Sequence, residues 1–136
     1  MNYFLVKSEP DAYSWDQLNE DGSTFWDGVR NYQARNNLKA MKKGDLLLYY
    51  HSNIGKEVVG VARVIKEYYQ DPTTDDDRWV AVDIEPVEAL KRPVTLKVIK
   101  EDSFLQDMAL VKQSRLSVMP VKREEFDRII EMGSEE

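Results

Sequence analysis

The run Leu46-Leu47-Leu48-Tyr49-Tyr50-His51-Ser52 constrains the fold of this chain more than any other stretch. Its apolar residues are consecutive instead of alternating, so it reads as a central strand buried on both faces and ending in a polar tip. Such a strand needs partners on each edge and cover on each face. Candidate partners are present. Tyr3 to Val6 reads as a buried first strand closed by Pro10, and Val58-Val59-Gly60-Val61-Ala62-Arg63-Val64-Ile65 is short and β-branched. Gly60 there marks a bulge or the close approach of another backbone. Trp79 to Glu85 alternates with period two, as a half-buried strand does, and Ser114 to Val118 reads as a last strand.

Helices fill the intervals. Ser14 with Gln17 three residues on is a capping box for a short helix over Trp15 to Asn19. Asn31 is an N-cap for a helix from about Tyr32 to about Met41, with Ala34, Leu38 and Met41 at helical spacing. A final amphipathic helix is expected from about Lys122 to Met132, burying Phe126, Ile129 and Ile130, with Gly133 just beyond it. Val94 to Lys100 and Ser103 to Met108 read as short helical or irregular pieces, and Thr73 to Asp77 as a polar, mobile acidic loop. These elements define an α+β chain, a small mixed β-barrel or strongly curved sheet with peripheral short helices, whose strand order periodicity does not supply.

The 136 residues are 42% hydrophobic, enough for one domain over residues 1–136, with residues 133–136 expected to fray. No cysteine is present, which removes disulfides and thiolate chemistry and points to a reducing, cytoplasmic setting. No segment is long and apolar enough to suggest a membrane partner. His51 is the single histidine, so no metal constellation forms around it, no cofactor motif appears, and no nucleophile elbow accompanies it. Nothing calls for an oligomer, and a monomer is expected.

The net charge of -6 is unevenly spread. Arg30, Arg35, Lys39, Lys42 and Lys43 fall between Gly28 and Gly44 without an acid; Lys91, Arg92, Lys97 and Lys100 do so between Ala89 and Lys100; Lys112, Arg115, Lys122 and Arg123 between Met108 and Arg123. On one face these would make a basic surface on an acidic body, suited to an anionic partner; scattered, they would only solvate. The segment from Trp26 to Leu38 concentrates a tryptophan, Gly28, two arginines and three asparagines. An aromatic face beside a helix N-terminus and arginines suits a planar ligand carrying acceptor atoms or a phosphate, although the same tryptophan would serve equally as a core residue.

Lys7-Ser8-Glu9-Pro10, Trp26 through Asn36, Gly44-Asp45, Tyr50-His51-Ser52, Arg92 through Leu96 and Ser114 through Val121 together resemble, in order and over nearly the whole chain, the EVE domain family. The resemblance implies a PUA-like fold related to YTH domains, and a non-catalytic module that reads a modified base of DNA or RNA, single-stranded or flipped, in an aromatic pocket. It places Lys7, Ser8, Trp26, Arg30, Asn31, Tyr32, Arg35, His51, Ser52, Trp79, Arg115 and Ser117 at or near that pocket. Trp26 and Trp79 are expected to stack on the base, and Ser8, Asn31 and Ser52 to meet its edge. Arg30, Arg35, Arg115 and either Lys39 or Lys7 are expected to meet phosphates or hold the pocket together. Lys122 departs from the family pattern by replacing a threonine that would cap the last helix. Two other readings stay open: a small-molecule or protein-interaction domain using the same pocket, and a nucleotide-modifying enzyme with His51 and Glu9 as acid and base.

Overall fold

The computed structural model describes residues 1–134; Glu135 and Glu136, part of the tail expected to fray, lie outside the described residues. The central strand forms as its composition dictates. In β3 (Leu46–His51), Leu47, Leu48 and Tyr49 are wholly buried. It runs parallel to β1 (Tyr3–Ser8) and antiparallel to β4 (Glu57–Gln70). β5 (Val80–Thr95) pairs with β4, and β2 (Thr24–Trp26) and β6 (Val118–Val121) lie at the two edges, giving the order β2-β5-β4-β3-β1-β6.

The barrel is not closed. Its edges are short, with β2 spanning three residues and β6 four, one of them Pro120, which has no N–H to donate to a ladder. The long pair β4–β5 bends through several register shifts and curves the sheet until β2 and β6 approach a common seam. Helix α2 (Tyr32–Ala40) bridges that seam, packing against β6, β5 and β4, and Asn37 Nδ2 donates to Val118 O at 2.7 Å. Ala34 and Leu38 supply its buried face. The expected last strand starts later than its residues suggest. Ser114–Ser117 forms a turn whose carbonyls are used by Lys7: the Lys7 N–H donates to Ser117 O, and Lys7 Nζ to Ser114 O at 2.9 Å.

Gly60 sits at a register shift, and the close approach there comes from a side chain rather than another backbone. A Cβ at this position would collide with the indole of Trp15, which is buried in the core. Trp15 opens α1 (Trp15–Asp21), capped by Ser14 Oγ accepting from the Gln17 N–H. Gln17 leaves the capping box half-made, because its Nε2 donates to Asp21. After α3 (Leu96–Glu101), a 3₁₀ turn (Ser103–Leu105) and α4 (Ala109–Lys112), helix α5 (Arg123–Gly133) buries Phe126 and Ile129, with Ile130 half-buried. Lys122 has no oxygen with which to cap α5, and the Glu125 carboxylate accepts from the Lys122 N–H at 2.9 Å in compensation.

Candidate nucleic-acid interface

The seam between the sheet edges is not filled along its whole length. Where α2 leaves it, a cavity of about 480 Å³ opens, walled on one side by Lys7 and Ser8 at the end of β1 with Ser117 before β6, and on the other by β2 and the loop to Arg30. The pocket is therefore a consequence of the open barrel: two strand edges that share no ladder enclose space between them.

Trp26 forms the aromatic wall. It is half-buried, and its ring meets Tyr49 edge-on, with centroids 5.5 Å apart and planes at 80°. Tyr49 is itself fixed, its hydroxyl donating to Tyr13 O at 2.8 Å, and burial raises its pKa well above the usual phenol range. The indole thus stands on a rigid base.

The continuation of this wall, from Gly28 to Arg30, is held by Asp71, whose side chain is fully buried. Its carboxylate accepts from the Gly28 N–H at 2.8 Å, Arg30 Nη1 at 2.9 Å, the Thr73 N–H at 2.7 Å and Thr73 Oγ1 at 2.5 Å. Burial alone would raise this carboxyl, but the hydrogen bonds outweigh it and hold its pKa at about 2. Gly28, at φ 74, takes a left-handed conformation that a side chain resists, and this aims its N–H at the carboxylate. The acidic loop expected to be mobile is accordingly pinned: Asp71 begins it with an Asx turn onto Thr73, and Gln70 Nε2 donates to Thr74 O at 3.2 Å.

Of the residues assigned by resemblance, Lys7, Ser8, Trp26, Arg30 and Ser117 line the cavity. Burial lowers the Lys7 pKa, and its ammonium lies 5.8 Å from the Tyr50 ring centroid. The others lie outside the lining. Trp79 does not face Trp26 across the cavity. Its ring packs against Tyr32 with centroids 5.2 Å apart, with the Arg30 and Arg78 guanidiniums 5.7 Å and 5.8 Å from it. Arg35 lies 5.0 Å over the Tyr32 ring, so Tyr32, Arg35 and Trp79 form a separate aromatic and arginine platform joined to the cavity through Arg30.

Asn31 caps α2, its Oδ1 accepting from the Ala34 N–H at 2.9 Å. His51 Nε2 accepts the Trp15 N–H at 3.0 Å, and burial lowers its pKa against the opposing effect of Glu57 and Asp16, so the ring is neutral and spent on the start of α1. The Ser52 N–H donates to Ser8 O, bracing a cavity wall from behind. Arg115 is exposed on the turn whose Ser114 carbonyl receives Lys7.

Sequence reading missed Asp71 and Arg78. Asp71 had a local signal, since Asp-Pro-Thr is an Asx-turn sequence, but its partners Gly28 and Arg30 are distant in the chain. Arg78, which pairs with Asp76 and donates to Tyr32 Oη at 3.0 Å, had none. Glu9 and Asp27 also line the cavity, so the site mixes both signs of charge.

A six-stranded mixed sheet left open along one seam, with an indole-walled cavity set into it, is a small α+β domain built around a binding pocket. The EVE domain family model matches residues 2–132, and the chain belongs to that family. Thymocyte nuclear protein 1 of Mus musculus is 36% identical over an alignment covering 99% of this chain and 75% of the relative. A protein from Rhodopseudomonas palustris, solved by NMR, shares 50% identity and a TM-score of 0.93 over 98% of this chain and 93% of its own. The human THYN1 protein, crystallised in complex with DNA containing 5-methylcytosine, is 32% identical with a TM-score of 0.93 over 100% of this chain and 99% of the other. Among the described residues no helix is long and apolar enough to cross a membrane, and no three or more His, Asp or Glu residues gather as metal ligands.

Proposed function

We propose that this domain is a non-catalytic nucleic-acid-binding module that holds one modified base, flipped or single-stranded, in the Trp26 cavity. The observation that carries the reading is the cavity itself: about 480 Å³, within the range of small-ligand pockets, with an indole fixed on Tyr49 and cations at Lys7 and Arg30. A base stacked on Trp26 gains on the order of 1–3 kcal/mol, and that gain is indifferent to sequence. Discrimination then rests on edge groups, for which Ser8, Ser117, Glu9 and Asp27 are the side chains at hand; a carboxylate accepting from the exocyclic amine of a cytosine is one such contact. DNA is the first polymer to test and 5-methylcytosine the first base, because they accompany the human relative.

The Tyr32–Trp79 platform is assigned to a neighbouring nucleotide instead of a second cage wall, with Arg35 and Arg115 meeting phosphates. Asn31, His51 and Ser52 hold the scaffold. An enzyme reading loses its general base, since His51 Nε2 already accepts from Trp15. The cytoplasmic, monomeric and single-domain expectations belong to this same proposal.

The test is binding of the purified protein to short DNA and RNA oligomers, each carrying one modified base, at two salt concentrations and beside Trp26→Ala. Salt-sensitive preference for one modified base, weakened by roughly 5- to 150-fold in the variant, is expected. Binding to no oligomer, or binding indifferent to Trp26, overturns the reading; a ligand bound without salt dependence would instead mark a small-molecule or protein site.

A further inference from the structure

Between β3 and β4 the chain makes a loop whose backbone is held away from ordinary geometry. Asn53 lies at φ 64, Gly55 at φ 87 and Lys56 at φ 48, and the first and last are non-glycine residues in the left-handed region. The Ile54 N–H donates to Ser52 O at 2.7 Å, so Ser52-Asn53-Ile54 has the hydrogen bond and positive central φ of the rare, strained form of γ-turn. The product of this strain is an isoleucine presented to solvent at the loop tip, 58% exposed. A lone exposed apolar residue is ordinary on a relaxed surface; one held out by two strained residues has been positioned.

The loop is tied down at both ends. The Ser52 N–H donates to Ser8 O, and Asn53 Nδ2 donates to Glu9 Oε1 at 2.7 Å, so its first half is bonded to two residues that line the Trp26 cavity. On the other side the Leu96 N–H donates to Lys56 O at 2.9 Å, and Lys56, Lys97 and Lys100 surround an open cleft of about 520 Å³. Two of these lysines belong to the acid-free segment from Ala89 to Lys100 that the base-binding cavity leaves unused.

We propose that Ile54 is a wedge that enters the base stack of duplex DNA when the target base leaves it for the Trp26 cavity, while Lys56, Lys97 and Lys100 grip the flanking phosphates. The inference rests on the base-reader function proposed above and adds how the base is extracted. Extrusion leaves a gap and costs stacking and pairing, and an aliphatic side chain that fills the gap offsets part of that cost. Ile54 has the chemistry for this, and its strained turn keeps it extended before DNA arrives. The lysines are placed next to it, where a phosphate would pass.

Two substrates separate the wedge from the reader. Wild type, Ile54→Ala and the double variant Lys97→Gln/Lys100→Gln are titrated with a single strand carrying one 5-methylcytosine and with the matching duplex, in which a 2-aminopurine next to the modified base reports unstacking. Ile54 is exposed, so the alanine variant keeps the fold, which circular dichroism checks. Expected for Ile54→Ala is affinity for the duplex lowered by about tenfold or more, a smaller fluorescence rise, and unchanged affinity for the single strand. The lysine pair is expected to lower the steepness of the salt dependence on the duplex. Equal loss on both substrates, or none on the duplex, overturns the wedge while leaving the reader standing. Wild type binding the single strand but not the duplex also overturns the wedge, and wild type binding neither overturns the wedge together with 5-methylcytosine as the base read.

Discussion

Replacing Asp71 by asparagine tests the buried carboxylate that organises one wall of the cavity. The side chain is nearly isosteric, so packing is conserved and the change falls on charge and hydrogen bonding. In the folded chain the carboxyl titrates at about 2 against an ordinary 3.8. At roughly 1.4 kcal/mol per unit, that difference contributes about 2 kcal/mol at neutral pH. The folded-state pKa is depressed, so the unfolded chain binds the proton first on acidification. The contribution is complete above about pH 4, falls to about 1 kcal/mol near pH 3, and is lost as the pH drops through about 2. The substituted amide also turns an N–H₂ group toward donors, which adds to the loss at neutral pH. Urea unfolding of wild type and Asp71→Asn at about pH 7 and about pH 3 reads this directly, because the difference between the two proteins cancels the other carboxylates. A gap of about 2 kcal/mol or more at neutral pH that narrows in acid is expected. A gap below about 0.5 kcal/mol, or one that is constant with pH, would refute the account of Asp71 as a buried anion held by Gly28, Arg30 and Thr73.

Gly60→Ala is expected to lower stability by about 1–3 kcal/mol or more, measured by thermal unfolding, because the added methyl collides with a core indole instead of a flexible chain end; a neutral result would mean that Trp15 does not lie over Gly60. His51→Ala leaves the Trp15 N–H without its acceptor and is expected to cost about 1–2 kcal/mol near pH 8. The folded pKa of His51 is lowered, so its contribution is present above the ordinary value of 6.5 and is lost as pH falls through the folded one. The wild-type advantage over His51→Ala should therefore shrink near pH 5, and an advantage that grew in acid would contradict the neutral-acceptor role.

How much was legible in the sequence depended on how far apart the cooperating residues lie. β3 and the N-cap of α2 were readable because a run of leucines, or an asparagine three residues before the N–H it caps, is a local signal. Residue types placed Trp26 and Arg30 in a candidate site, and motif resemblance added Lys7, Ser8 and Ser117. The seam was not readable, since the absence of a ladder between β2 and β6 depends on the bend of β4 and β5. Trp79 immediately precedes β5 and its ring packs on Tyr32 at the start of α2, a long-range contact that the sequence pattern does not display. Asp71 looked like one more acid at a loop because its value is set by Gly28 and Arg30, more than forty positions earlier. His51, a lone histidine with no metal or nucleophile partners in the sequence, finds its hydrogen-bond partner only in the fold, in the backbone N–H of Trp15 at the start of α1.

The seam between β2 and β6 also bears on how such a pocket can be retuned. A closed barrel has a girth set in whole hydrogen-bonded steps, so changing its bore means re-registering strands. Here the aperture is spanned by side chains and a helix, which are adjustable by a methylene at a time without disturbing a single rung of the sheet. One scaffold can therefore be regauged for bases of different bulk through substitutions along its open edge, with the six strands left as they stand.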